Sequence, residues 1–195
     1  ERLGLDQVGL LQLHGPGAGE LDAAMLETLA DLKAKALARA VGVNSFDPAV
    51  IDHAIGLAEI DVVMVDYNVL RPERTALIAR AAAAGKGVLA GMPLAMGHIS
   101  GLSLRAPRDV WYALRALKNH RADLARGRRF AFLRSLPGMT ASQAALAYVL
   151  ADPNVASAVV GATRMAHLLE NLAASGMALD ADTCDRIRAA QEDAR

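Results

Sequence analysis

The chain has 195 residues and a mass of 20.5 kDa, and its 21 Lys+Arg balance 21 Asp+Glu, so the formal net charge is zero. That balance excludes the broad basic footprint of a general nucleic-acid binder, and 53% hydrophobic against 22% charged residues excludes a disordered chain. The single cysteine, Cys184, allows neither an internal disulfide nor a zinc cluster, no apolar run approaches the ~20 residues of a membrane span, and no signal peptide stands out, so one cytoplasmic domain over residues 1–195 is expected.

In chain order, Val8 to Leu13 is a short apolar run that predicts a buried parallel strand, ending at His14-Gly15-Pro16-Gly17. Helical spacing follows over Leu21 to Leu37. A second strand, Ala40 to Val43, ends at Asn44-Ser45-Phe46, and Asp47-Pro48 supplies an N-cap and a first-turn proline for a helix over Pro48 to Leu57. Asp61 to Tyr67 predicts the third strand, which runs into Asn68. Arg71-Pro72-Glu73 offers a similar start for a helix over Pro72 to Ala84, with Gly85 as its stop. The fourth strand, Gly87 to Ala90, leads into Met92-Pro93-Leu94-Ala95-Met96-Gly97. Gly101 to Pro107 reads as a flap over a site or as an ordinary surface loop, and a helix is predicted over Asp109 to Ala125. Thr140-Ala-Ser-Gln143 fits a capping box at the head of a helix over Thr140 to Leu150. The fifth strand, Ala156 to Val160, ends at Gly161-Ala162-Thr163-Arg164. Helices over Met165 to Ala174 and Ala181 to Ala190 follow, with Gly176 as a stop and Asp180 and Asp182 at the start of the last one.

Five strand–helix units predict a parallel sheet with right-handed crossovers. They could form a small doubly wound sheet or five-eighths of a (β/α)8 barrel, which typically takes ~250 residues; the pattern leaves both open. In either case ligands bind at the carboxyl ends of the strands, where this sequence collects its polar and glycine-rich residues.

Those strand ends resemble the aldo-keto reductase superfamily, (β/α)8 barrels that use NADPH or NADH. The resemblance runs nearly end to end but covers the family's later part, strands four to eight. Arg2-Leu3-Gly4-Leu5-Asp6 and Leu10-Leu11-Gln12-Leu13-His14-Gly15-Pro16 resemble the lead into strand four. Leu26-Glu27 through Lys33 and then Arg39-Ala40-Val41-Gly42-Val43-Asn44-Ser45-Phe46 resemble helix four and strand five. Tyr67-Asn68 resembles the end of strand six, and Pro93-Leu94-Ala95-Met96-Gly97 the loop after strand seven. Thr140, Gln143 to Ala147, Val160 to Arg164, Leu168, Glu170 and Asn171 resemble the helix seven to helix eight region. Their order and spacing make the resemblance specific.

The resemblance implies roles position by position. His14 would hydrogen-bond the substrate carbonyl oxygen and polarise it. Asn44 and Ser45 would hold the nicotinamide carboxamide, although the family usually has Ser then Asn and the order here is reversed. Leu94 and Gly97 would wrap the pyrophosphate through backbone N–H groups. Gly161, Thr163 and Arg164 would open a helix facing the adenosine phosphate, with Thr163 as N-cap. Arg164 would add a guanidinium to the helix N-terminus, which tilts the expectation towards NADP(H) over NAD(H). His167 could touch the adenosine phosphate, and Glu170 and Asn171 match the adenine-contacting pair. The implied reaction is hydride transfer between the cofactor and a small-molecule carbonyl, alcohol or sugar, with no metal.

The sequence departs from the family at three points. Met64 replaces a carboxamide-binding glutamine, and Gly91 replaces a tyrosine that often stacks on nicotinamide. The family's catalytic Asp, Tyr and Lys lie before the position of His14, and the start at Glu1 rather than Met leads to the expectation that the complete protein is longer. A catalytically inactive nucleotide-binding or interaction protein is the alternative reading. An incomplete barrel of five units has two open parallel edges, so further strands, a homodimer closing those edges, or a rearranged compact sheet would be needed.

The remaining motifs are structural expectations. Arg115, Lys118, Arg121, Arg126, Arg128 and Arg129 read as a solvated helix face with too few aromatics for base stacking. His53, His98, His120 and His167 lack metal-site spacing. The seven methionines read as core filler and Trp111 as a packing anchor.

Overall fold

The structure is a computed structural model that describes residues 4–99 and 121–192. In chain order its elements are β1 (Val8–His14), α1 (Ala23–Ala34), β2 (Ala38–Asn44), α2 (Pro48–Ile55), β3 (Val62–Asp66), α3 (Thr75–Ala83), β4 (Gly87–Gly91), α4 (Arg121–Arg129), α5 (Ala141–Leu150), β5 (Ser157–Ala158), α6 (Met165–Ala173) and α7 (Ala181–Glu192). The strands form one five-stranded sheet in the order β1-β2-β3-β4-β5. Parallel registers run from Val8–Ala38 to His14–Asn44 and from Gly42–Val62 to Asn44–Met64. Parallel pairing requires a crossover between successive strands, and helices supply it. The protein is therefore an α/β fold built on a parallel sheet, and its paired strands end on the same side.

The chain forms two compact units. The first contains the described residues within Glu1–Asp66, Glu73–Leu89 and Asn154–Ser157. Its core is the β-branched run of Val41, Val43, Val63 and Val65 against Val50, Ile51 and Ala54 of α2, Leu77, Ile78 and Ala81 of α3, and Leu29 of α1, all buried. Continuous burial over residues 41–44 of β2 and 63–66 of β3 is what helices on a parallel sheet impose. At Gly42 a Cβ would stand 2.7 Å from the Val62 carbonyl oxygen, so glycine lets β2 and β3 approach. Lys33 Nζ donates to both Asp61 oxygens at 2.7 Å, and Asp61 also accepts from the Val41 N–H at 2.9 Å, tying α1 to the start of β3. Helix starts follow the sequence signals. Asp47 accepts from Ala49 N–H at 2.9 Å with Pro48 behind it, and Asp22 caps α1 by accepting from Met25 N–H. β1 ends the strand order, and every residue of it is exposed or half-buried.

The second unit contains the described residues within Tyr67–Pro72, Ala90–Pro153 and Ala158–Arg195. Its core gathers Val69, Leu70, Ala95, Ile99, Phe130, Leu133 and Ile187 around Ala141, Ala144 and Ala145 of α5. Alanines on α5 let neighbours approach its backbone. Thr140 caps α5 as predicted: its Oγ1 accepts from Gln143 N–H at 3.2 Å while Gln143 Oε1 accepts from Thr140 N–H at 2.9 Å. Asp180 caps the start of α7 by accepting from Thr183 N–H at 2.7 Å. Gln191 of α7 donates to the Val69 carbonyl and to the Tyr148 hydroxyl, both at 3.0 Å. Met165, Leu168, Leu169 and Leu172 recur at helical spacing along α6 and are exposed, and none of its residues is buried.

Several boundaries differ from expectation. The fifth strand shrinks from Ala156–Val160 to Ser157–Ala158, with the Ala156 and Val159 N–H groups on either side of it donating to the Val88 and Ala90 carbonyls of β4. The helix expected from Pro72 begins as a 3-10 turn over Pro72–Arg74 and becomes α-helical at Thr75. The Leu21 to Leu37 run narrows to Ala23–Ala34, since Asp22 caps one end and Ala36 turns to φ +55° at the other. Of the helix predicted over Asp109 to Ala125, the described part begins at Arg121 and continues past Ala125 to Arg129. The Gly101 to Pro107 stretch, Trp111, Arg115, Lys118 and His120 lie outside the described residues. Among the described residues, no helix is long and apolar enough to cross a membrane, and no group of three or more His, Cys, Asp or Glu is placed to hold a metal ion.

Candidate functional site

The first unit presents the ends of β1, β2 and β3. His14 and Asn44 are register partners on adjacent parallel strands, and Asn44 Nδ2 lies 3.0 Å from His14 Nδ1. Asn44 is 8% exposed, whereas His14 is exposed. The backbone locks the pair from both sides: Gly15 N–H donates to the Asn44 carbonyl at 2.8 Å, and Ser45 N–H donates to the Met64 carbonyl at 3.2 Å. Ser45 is buried, and its Oγ accepts from Asp47 N–H at 3.2 Å, joining the strand end to the cap of α2.

At the end of β3 lies a pair that sequence reasoning missed. Arg74 Nε donates to Asp66 Oδ1 at 2.8 Å, its Nη2 donates to Asp66 Oδ2 at 3.4 Å, and the same Nη2 donates to the Phe46 carbonyl at 3.4 Å. The two side chains are 14% and 10% exposed. A fork-to-fork pair of this kind is directional, and here it pins the residue that follows Asn44-Ser45. Asp66 at the end of an apolar run was the available signal, since an ionised carboxylate there needs a partner.

The second unit presents the ends of β4 and β5. Met92, Pro93, Leu94, Met96 and Gly97 line an open cleft of about 340 Å³ together with Val159, Val160 and Gly161. The predicted Leu94, Gly97 and Gly161 thus meet in one place. The turn after β4 is strained: Met92, Ala95 and Met96 have φ of +52°, +46° and +54°, followed by Gly97 at +79°. Left-handed backbone at non-glycine residues costs roughly 1–2 kcal/mol each and clusters at ligand sites. Asn68 Nδ2 supports this turn by donating to the Met92 carbonyl at 3.0 Å, and its Oδ1 accepts from Leu70 N–H at 2.9 Å.

The remaining predicted residues lie along α6 and the segment that leads into it, with one correction. Arg164, not Thr163, is the N-cap, with φ −132° and ψ 142° and no side-chain cap bond, because the helix starts one residue later than Thr163 could cap. The first-turn N–H groups of α6 therefore carry no side-chain cap, and Arg164 stands beside them. That chemistry suits an anion. Glu170 Oε1 accepts from Thr140 Oγ1 at 2.5 Å, and its carbonyl accepts from Gln143 Nε2 at 3.3 Å, so this carboxylate is held by the cap of α5. His167 and Asn171 are half-buried on the same helix. An uncapped helix start with a guanidinium, and a cleft walled by turning backbone and a glycine with nothing near its Cβ position, fit a dinucleotide's phosphates.

Known proteins resemble this chain in sequence and in fold. A model of the Aldo/keto reductase family matches residues 1–192. The chain is 28% identical over 185 residues to the uncharacterized oxidoreductase YqkF of Bacillus subtilis (strain 168), covering 89% of this chain and 56% of that protein. It is 29% identical over 177 residues to a D-threo-aldose 1-dehydrogenase of Pseudomonas sp, covering 88% of this chain and 53% of the relative. The solved holo form of aldo-keto reductase AKR11C1 from Bacillus halodurans superimposes with a TM-score of 0.71 at 27% identity, over 97% of this chain and 62% of that one. The chain thus spans little more than half the length of the curated relatives it matches. With the family model matching almost its whole length and a solved member sharing its fold, this chain belongs to the aldo/keto reductase family.

Proposed function

We propose that the chain carries the carbonyl-polarising and cofactor-holding part of an NAD(P)H-dependent oxidoreductase. The reaction is hydride transfer that reduces aldehydes or ketones, or oxidises the corresponding alcohols or sugars. The five units correspond to strands four to eight of a (β/α)8 barrel within one domain. The observation that carries this reading is the pair formed by His14 and Asn44 at the carboxyl ends of neighbouring parallel strands, where such folds bind ligands. Family membership and relatives named as dehydrogenases support it; none of them supports an inactive binding protein.

Each residue then has a task. His14 donates a hydrogen bond to the substrate carbonyl oxygen and stabilises the negative charge that develops there. Asn44 and Ser45 hold the nicotinamide carboxamide. Leu94, Gly97 and Gly161 shape the backbone around the pyrophosphate. Arg164, the N-terminus of α6 and His167 meet the adenosine phosphate, with Thr163 beside them. Asn171 and the Glu170 oxygen not used by Thr140 contact adenine. The nicotinamide cofactor, when bound, supplies or accepts the hydride. No metal takes part. The proposed setting is the cytoplasm, where the lone thiol Cys184 stays reduced, and a homodimer would place β1 or β5 edges against each other.

Fluorescence titration with NADPH and NADH tests the reading. Wild-type chain binds NADPH, and Arg164→Ala weakens NADPH by about 1–3 kcal/mol while changing NADH much less. Equal weakening of both cofactors refutes the phosphate role of Arg164, and absence of any binding to the wild-type chain refutes the cofactor assignments.

A further inference from the structure

We propose that Asn44 is a positioning residue that holds the His14 imidazole in its Nε2–H tautomer; this rests on the reading of His14 as the group that polarises the carbonyl. β1 and β2 are parallel and His14 faces Asn44 in the ladder. The reversed order Asn44-Ser45 puts the amide, rather than the hydroxyl, at that register position. Asn44 Nδ2 then lies 3.0 Å from His14 Nδ1. An amide nitrogen only donates, so Nδ1 must accept through its lone pair, and the ring proton resides on Nε2.

The bond is shielded from water on its Asn44 side. Asn44 is 8% exposed and is anchored on both sides by the Gly15 N–H to Asn44 carbonyl bond and the Ser45 N–H to Met64 carbonyl bond. Turning the imidazole to its Nδ1–H form would set two donors against each other and strip a partner from a buried amide hydrogen. That penalty favours the Nε2–H form by roughly tenfold or more. Only this tautomer presents Nε2 as a donor, and a donor is what a carbonyl oxygen gaining negative charge requires. Nδ2 has a second hydrogen and Oδ1 is a separate acceptor, so the same amide can hold His14 and a carboxamide.

The test is nitrogen-15 NMR of the histidine-labelled 195-residue chain, by long-range proton–nitrogen correlation at a pH where the ring is neutral. His14→Gln identifies the His14 signals. In the wild type the Nδ1 resonance should be that of an unprotonated nitrogen and Nε2 that of a protonated one. Asn44→Asp, close in shape but only an acceptor, should move the proton to Nδ1; Asn44→Ala should shift the ring toward a mixture. Both are checked by circular dichroism. A wild-type ring protonated at Nδ1 would mean that the amide presents Oδ1 and would overturn the proposal. So would an unchanged tautomer ratio in folded Asn44→Asp and Asn44→Ala. The wild-type spectrum decides by itself if a variant fails to fold. NADPH titration runs in parallel: loss of the function reading shows as absent binding, whereas failure of this inference shows in the ring nitrogens with binding intact.

Discussion

Replacing Arg74 by leucine tests the pair at the end of β3. The perturbation removes both guanidinium bonds to Asp66, at 2.8 and 3.4 Å, and the bond to the Phe46 carbonyl. The pair is nearly buried, with side chains 14% and 10% exposed, so water restores little of what is lost. Breaking a buried pair from one side costs about 3–5 kcal/mol, and the remaining access of water places this one near 3. With a urea slope of about 2 kcal/mol/M, that is a fall of roughly 1.5 M in the unfolding midpoint. A typical domain has about 5–15 kcal/mol in total, so the variant still folds at low denaturant. The assay is urea unfolding of Arg74→Leu, Asp66→Leu and the double variant. The double variant should recover part of the loss, because two apolar side chains then replace two nearly buried charges. An Arg74→Leu midpoint within error of wild type, or a double variant equal to the sum of the singles, would refute the reasoning.

Three further outcomes follow from other parts of the molecule. Burial pushes the Asp61 carboxyl up, but the Lys33 and Val41 hydrogen bonds and the charges of Lys33 and Lys86 outweigh it and hold it below the usual carboxylate range. Its stabilisation is therefore complete above the unfolded value of about 3.9 and is lost as pH falls through the lower folded value. Asn in place of Asp61 should lower the urea midpoint at neutral pH, and the gap to wild type should close in acid; a gap independent of pH contradicts this. Gly42→Ala brings a Cβ to 2.7 Å from the Val62 carbonyl oxygen, which should cost about 1–3 kcal/mol and lower the thermal midpoint; an unchanged midpoint would show that β2 and β3 part freely. Thr140→Ala removes the cap of α5 and the bond to Glu170, for about 1–2 kcal/mol. Thr140→Ser should retain most of it, and equal losses in the two variants would dismiss the hydroxyl's role.

Local chemistry is legible in this sequence wherever one residue decides the outcome. Asp47-Pro48, Thr140 with Gln143, and Asp180 cap helices as their types dictate, because a side-chain oxygen satisfies an orphan N–H within its own turn. The apolar runs marked the strands, since helices cover the faces of a parallel sheet. The order of motifs along the chain identified the family. Long-range pairing was not legible. The bond between Asn44 and His14 depends on strand register across 30 residues, and nothing in either segment states that register. Arg74 meeting Asp66 and the Phe46 carbonyl depends on how the chain turns after β3. Thr163 is a good capping residue by type, yet Arg164 occupies the cap, and nothing in the residue types of that segment states where the helix begins. Residue type sets what each group can donate, accept or bury, whereas the tertiary structure decides which partner it finds, because contacts between distant segments exist only once the sheet has closed the loops between them.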